Sequence, residues 1–81
     1  NLKSNGSLVK VKCGDECIET GLRKFGAIVG DNAEVGCNSV LNPGTVIGRN
    51  SIIYPLTPVR GYVPENHILK NNCELVVKRQ K

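Results

Sequence analysis

The sequence has no tryptophan and no methionine, and its only aromatic residues are Phe25, Tyr54 and Tyr62. Three scattered rings cannot build the stacking platform on which single-stranded nucleic acid is held, so no nucleic-acid partner is expected. The missing methionine, with Asn1 first, gives the expectation of a fragment or processed piece of a longer protein. There is no apolar run of the length that spans a bilayer and no signal-peptide pattern, so no membrane partner is expected. Histidine occurs once, as His67. The cysteines Cys13, Cys17, Cys37 and Cys73 match no zinc-ligand spacing, so no metal site is expected. They read as reduced thiols of a cytoplasmic protein. Cys37 as a nucleophile has neither a histidine nor an acid near it in sequence, and no catalytic residue is assigned within the chain.

What is present is a period of six. From Val29 to Pro64 the chain divides into six hexads that begin with Val29, Val35, Leu41, Ile47, Ile53 and Val59. Their fifth positions hold Ala33, Ser39, Thr45, Ser51, Thr57 and Val63. A six-residue period of this kind marks a β-solenoid whose flat faces are short strands. Side chains alternate along a strand, so the fifth residue of one hexad and the first of the next point inward. The residue between them points outward. Three hexads close one triangular coil, which stacks residues eighteen apart. Val29 then lies over Ile47, Val35 over Ile53 and Leu41 over Val59. On the outside Ile28 stacks with Val46, Val40 with Pro58, and Glu34 with Ile52. Two of the three outer faces are therefore apolar, and contiguous exposed apolar strips mark interfaces. Self-association is expected through Ile28 and Val46, through Val40 and Pro58, or both. Gly30, Gly36, Asn42 and Gly48 occupy second positions, where the corner is expected to need a residue tolerant of unusual φ.

Residues 8–20 read as a β-hairpin. Gly14-Asp15 suits a two-residue turn with glycine first, which sets Val11 opposite Ile18 and Lys10 opposite Glu19. The chain thus divides into 1–21 (loop and hairpin), 22–64 (hexapeptide solenoid) and 65–81 (exit segment and tail). Residues around Leu75-Val76-Val77 suit a short strand. His67 reads as a solvated turn residue, and Arg49 as a corner charge that could instead meet a phosphate. The net charge of +4 is spread along the chain and suits a small phosphorylated ligand. A basic binding module built on Lys10, Lys12 and the Lys-Arg-Gln-Lys tail is weaker, because these charges read as solvated faces.

The run of aliphatic-Gly-x-x-(Ala/Ser/Thr)-x hexads, with Asn42-Pro43-Gly44-Thr45 inside it, resembles the hexapeptide-repeat acyltransferases. It is most similar to the C-terminal domain of bacterial sugar-1-phosphate nucleotidyltransferases of the bifunctional uridyltransferase/acetyltransferase type. The resemblance implies an all-β fold, a left-handed parallel β-helix of about two coils with the hairpin at 8–20 inserted. The handedness comes from the resemblance, since parallel crossovers are ordinarily right-handed. Asn1-Leu2 followed by Asn5-Gly6 resembles the family's Asn-Tyr-Asp-Gly loop. The resemblance implies a homotrimer with an acetyl-CoA or other acyl-CoA cleft between subunits, and a sugar phosphate or sugar nucleotide bound by the parent. It places Asn1 at the acyl end, Cys37 by the thioester, and Tyr54 and Pro55 along the pantetheine. The bulk of Tyr54 departs from the family's small residue there. The family's catalytic histidine would fall before Asn1, so the segment alone is expected to be inactive. The function so implied is that of a C-terminal fragment of an acyltransferase domain. The alternative is a non-catalytic trimerisation solenoid that positions an N-terminal nucleotidyltransferase domain.

Overall fold

The structure is a computed structural model that describes residues 2–79. Its elements are all strands: β1 (Lys10–Cys13), β2 (Glu16–Glu19), β3 (Ala27–Val29), β4 (Glu34–Val35), β5 (Val40–Leu41), β6 (Thr45–Ile47), β7 (Ile52–Ile53), β8 (Pro58–Val59), β9 (Tyr62–Val63), β10 (His67–Leu69) and β11 (Leu75–Val77). Strands β3 to β10 wind as a parallel β-helix. One face stacks β3-β6-β9, the second β4-β7-β10, and the third β5-β8. The eighteen-residue stacking holds between the first two coils: Ile28 lies beside Val46, Val29 beside Ile47, Glu34 beside Ile52 and Val40 beside Pro58.

The third turn is shorter. Val46 pairs with Tyr62, Ile47 with Val63 and Ile53 with Leu69, each sixteen apart. Four residues separate Leu41 from Val46, but only Arg60 and Gly61 separate Val59 from Tyr62, so one corner has lost two residues. Val63 consequently takes a first position rather than the fifth position expected for it. The parallel ladder also runs past Pro64, through β10, where the sequence suggested the solenoid ends. His67 is therefore not a turn residue; it is half-buried in β10, at a fifth position. Strand β11 then folds back antiparallel on β10 and covers that edge.

The core inside the coils is a cluster of first-position residues drawn from all three faces, Ile47, Ile53, Val59 and Val63, with Ala33, Leu41 and Leu69 packed against it. The same positions one coil earlier are open. Ile47 is 1% exposed, whereas Val29 and Val35 are 47% and 41% exposed. Among the described residues β3, β4 and β5 pair on one side only, which leaves their inward side chains uncovered.

The fifth-position hydroxyls of Thr45, Ser51 and Thr57 are buried and all are bonded. Thr45 Oγ1 donates to the Asn42 carbonyl at 2.7 Å and Thr57 Oγ1 to that of Tyr54 at 2.7 Å. Ser51 Oγ donates to the Pro64 carbonyl at 2.6 Å and accepts the His67 N–H. Each hydroxyl thus satisfies a corner carbonyl that the ladder leaves free, the requirement for burying a polar group without cost.

The second-position glycines have a different cause from the one expected. Gly30, Gly36 and Gly48 do not take positive φ. A Cβ on Gly30 would lie 2.6 Å from Arg49 N, on Gly36 2.4 Å from Pro55 N, and on Gly48 2.4 Å from Glu65 N. The backbones of successive coils approach there too closely for any side chain. Asn42 is tolerated at the equivalent position because the corner beneath it is the shortened one, and its Nδ2 donates to the Val59 carbonyl. Positive φ falls instead at the fourth position: Asn32, Asn38, Gly44, Asn50, Leu56 and Asn66. Asparagine and glycine tolerate this region, whereas an apolar L-residue is strained there. Leu56 is the exception, with φ 60° and 67% exposure. Leu56→Asn should therefore raise stability by about 1 kcal/mol, because strain is relieved and almost no burial is lost. A melting curve should show this as a rise of roughly 4 °C or more; an unchanged or lower midpoint would refute the strain.

The hairpin forms in the expected register, with Lys10 opposite Glu19, Val11 opposite Ile18 and Cys13 opposite Glu16. Gly14 takes φ 62°, as a turn with glycine first requires. β1 lies against β6, with Val9 and Val11 buried. Lys10, Lys12, Cys17 and Glu19 face the other way.

Candidate functional site

Two places in the fold collect chemistry-bearing residues. The first is the corner between β4 and β5 and the corner directly below it, between β7 and β8. Cys37 and Pro55 are eighteen residues apart and meet there: the Leu56 N–H donates to the Cys37 carbonyl at 2.9 Å. Ser39 Oγ donates to the Tyr54 carbonyl at 2.8 Å and accepts the Thr57 N–H. These bonds clamp one corner to the next. They leave Cys37, Tyr54, Pro55 and Leu56 exposed as a ledge of one thiol, one phenol and two apolar side chains. Three of the four residues singled out from the sequence, Cys37, Tyr54 and Pro55, thus occupy one surface. The fourth, Asn1, lies outside the described residues. Tyr54 is 38% exposed, so its ring stands on the ledge. No hydrogen bond joins Cys37 Sγ to another group among the described residues, and no histidine adjoins it. Among the described residues the ledge has no proton-transfer partner of its own.

His67 Nδ1 lies 2.8 Å from the Glu65 carbonyl. A carbonyl can only accept, so that nitrogen carries the proton and Nε2 is left as the acceptor of the neutral ring. Arg49 is held by Glu65, Nε to Oε2 at 3.0 Å, with both side chains more than half exposed. Such a surface pair contributes at most about 1 kcal/mol. It settles the corner arginine as a partner of Glu65. Cys13, Cys17, Cys37 and Cys73 are all free and exposed.

The second place is a cleft of about 1030 Å³ between the N-terminal segment, the hairpin and two coil corners. It brings together Lys3, Lys10, Lys12 and Arg60, with Glu19 as the only carboxylate in its lining among the described residues. The hairpin is seated by contact with Gly44: a Cβ there would lie 2.5 Å from the Lys10 carbonyl oxygen. Thr20 Oγ1 and N–H both donate to the Val9 carbonyl, and the Val9 N–H donates to Leu22. The sequence signalled Lys10 and Lys12 as one face of a strand. It gave no sign that Lys3 and Arg60, fifty-seven positions apart, would join them, because that depends on how the hairpin seats against the coil at Gly44.

Residues 26–57 match the bacterial transferase hexapeptide family, a motif of six repeats. That match decides what the coils are. Residues 26–57 carry hexapeptide repeats of the bacterial transferase type. The coils are those of the left-handed parallel β-helix, as the sequence resemblance implied. The chain is 36% identical over 59 residues to the bifunctional protein GlmU of Methanococcus vannielii, covering 73% of this chain and 14% of that protein. It is 38% identical over 55 residues to a bifunctional sugar-1-phosphate nucleotidylyltransferase/acetyltransferase of Sulfurisphaera tokodaii, covering 68% of this chain and 14% of that protein. Against the bifunctional protein GlmU of Methanococcus aeolicus identity is 28% across all 81 residues, which is 20% of that protein. The hexapeptide chain therefore spans between a seventh and a fifth of these relatives' length. No solved structure matches it.

Proposed function

We propose that the chain is part of the acyltransferase domain of a sugar-1-phosphate nucleotidyltransferase-type enzyme that uses acetyl-CoA or another acyl-CoA. The observation that carries this reading is the similarity of the hexapeptide coils to a protein named as a bifunctional sugar-1-phosphate nucleotidylyltransferase/acetyltransferase. The ledge of Cys37, Tyr54 and Pro55 supplies a surface on which the pantetheine arm would lie. Main-chain amides at such corners would be aimed at the oxyanion of a tetrahedral intermediate. The general base would come from outside this segment, since no histidine adjoins Cys37 among the described residues. The protein would work as a homotrimer in the cytoplasm, with subunits meeting on the Ile28/Val46 face, the Val40/Pro58 face, or both. Val40 is 57% exposed and Pro58 is exposed beside it, which favours the second of these faces.

Calorimetric titration of the full-length protein with acetyl-CoA tests the reading. Saturable binding is expected, weakened in Tyr54→Asp, which puts a carboxylate on the ledge. No heat of binding at millimolar acetyl-CoA would exclude an acyl-CoA site. A second reading, a solenoid that only trimerises and positions a nucleotidyltransferase domain, is favoured by one observation: the exposed phenol of Tyr54 occupies the ledge where a small residue was expected.

A further inference from the structure

The cleft between the N-terminal segment, hairpin and coil corners has charge that no structural role absorbs. Among the described residues the ion pairs are Arg49 with Glu65 and Lys70 with Glu74. None of the four cations of the cleft is held by one. Glu19 stands opposite Lys10 across the hairpin, so at most one of the four is offset locally. The lining thus carries four cations against one carboxylate, a surplus of three in a chain whose total net charge is +4. Most of the protein's excess positive charge converges on this one concavity. Like charges brought together repel, and a concave wall concentrates their field on whatever enters.

We infer that this cleft is a binding site for the phosphate or diphosphate group of a small phosphorylated molecule, distinct from the Cys37–Tyr54–Pro55 ledge. Phosphate suits it because lysine and arginine form charge-assisted hydrogen bonds to its oxygens, and each cation here is free to do so. A polynucleotide is disfavoured because none of the three aromatic residues lines the cleft, so bases would have nothing to stack on. Leu2, Leu8 and Pro43 give an apolar floor that would carry the uncharged part of the ligand. The inserted hairpin thereby gains a role: it supplies Lys10 and Lys12, and its contact with Gly44 holds it against the coil corner. The inference does not rest on acyl-CoA chemistry at the ledge.

The test is a titration of the full chain with inorganic pyrophosphate, followed by amide chemical shifts at constant ionic strength. Saturable shifts are expected at residues 3, 10, 12, 42, 44, 60 and 61. Lys12→Gln and Arg60→Gln should each weaken binding on the order of tenfold while the shifts of the coil amides stay in place. Lys70→Gln, at a lysine already paired with Glu74, should bind as the wild type does. Shifts spread evenly over Lys70, Lys78 and Arg79, shifts that fail to saturate at millimolar pyrophosphate, or unchanged affinity in both cleft variants would overturn the assignment. Loss of acetyl-CoA binding at the ledge would leave this result unaffected, so the two readings fail separately.

Discussion

Gly36→Ala and Gly48→Ala should each lower stability by about 3 kcal/mol or more, while Gly26→Ala changes it little. The added Cβ would stand 2.4 Å from Pro55 N in the first case and 2.4 Å from Glu65 N in the second. The obstacle is backbone, which cannot rotate away as a side chain would. Overpacking typically costs about 1–3 kcal/mol, and a clash between two fixed main chains belongs at or beyond the top of that range. Relief requires the coils to separate, and separation breaks the bonds Gly36 N–H to Ile53 O (2.8 Å) and Gly48 N–H to Val63 O (2.7 Å). For a domain of this size the midpoint of thermal unfolding should fall by more than about 10 °C. Gly26 is the control, because it has nothing within 4 Å of its would-be Cβ and no positive φ. Equal effects at all three glycines would mean that close approach of the coils is not what selects glycine.

That contrast marks what was legible in the sequence. The period of six fixed the inward residues, the three faces and the pairing of Ile28 with Val46 and Val40 with Pro58, because apolar periodicity is a direct image of burial. The hairpin was legible for the same kind of reason: Gly14-Asp15 and the alternation on either side leave one good register. The role of the glycines was not legible. A glycine demanded by positive φ and one demanded by a neighbouring backbone look alike until the coils are stacked. The requirement for positive φ lay two positions along, in a column of asparagines that the hexads also contain. Val63 misled because both positions open to it point inward, so burial alone could not reveal the two missing residues at Arg60-Gly61. That deletion shifts the third turn and draws His67 into a strand. Of the ledge, Cys37 and Pro55 could be brought together from the eighteen-residue coil alone. The convergence of Lys3, Lys12 and Arg60 depends on how the hairpin seats on Gly44, which no local pattern encodes.

Removal of residues 29–64 from the full-length protein should abolish acyl transfer altogether. The effect should be complete rather than partial, because the segment contains the buried cluster of Ile47, Ile53, Val59 and Val63 and the whole Cys37–Tyr54–Pro55 ledge. Without that cluster the exposed strands have nothing to pack on, and a solenoid turn is stable only through its neighbours. A nucleotidyltransferase domain folding around its own core should keep its activity, since domains are independent folding units. The decisive measurement is therefore release of free CoA from acetyl-CoA in the presence of an amino-sugar 1-phosphate, with nucleotidyl transfer assayed on the same preparations. The account predicts CoA release by the intact protein, none by the deletion variant, and nucleotidyl transfer by both. Acyl transfer that persists without residues 29–64, or that is absent from the intact protein while acetyl-CoA is supplied in excess, would contradict it.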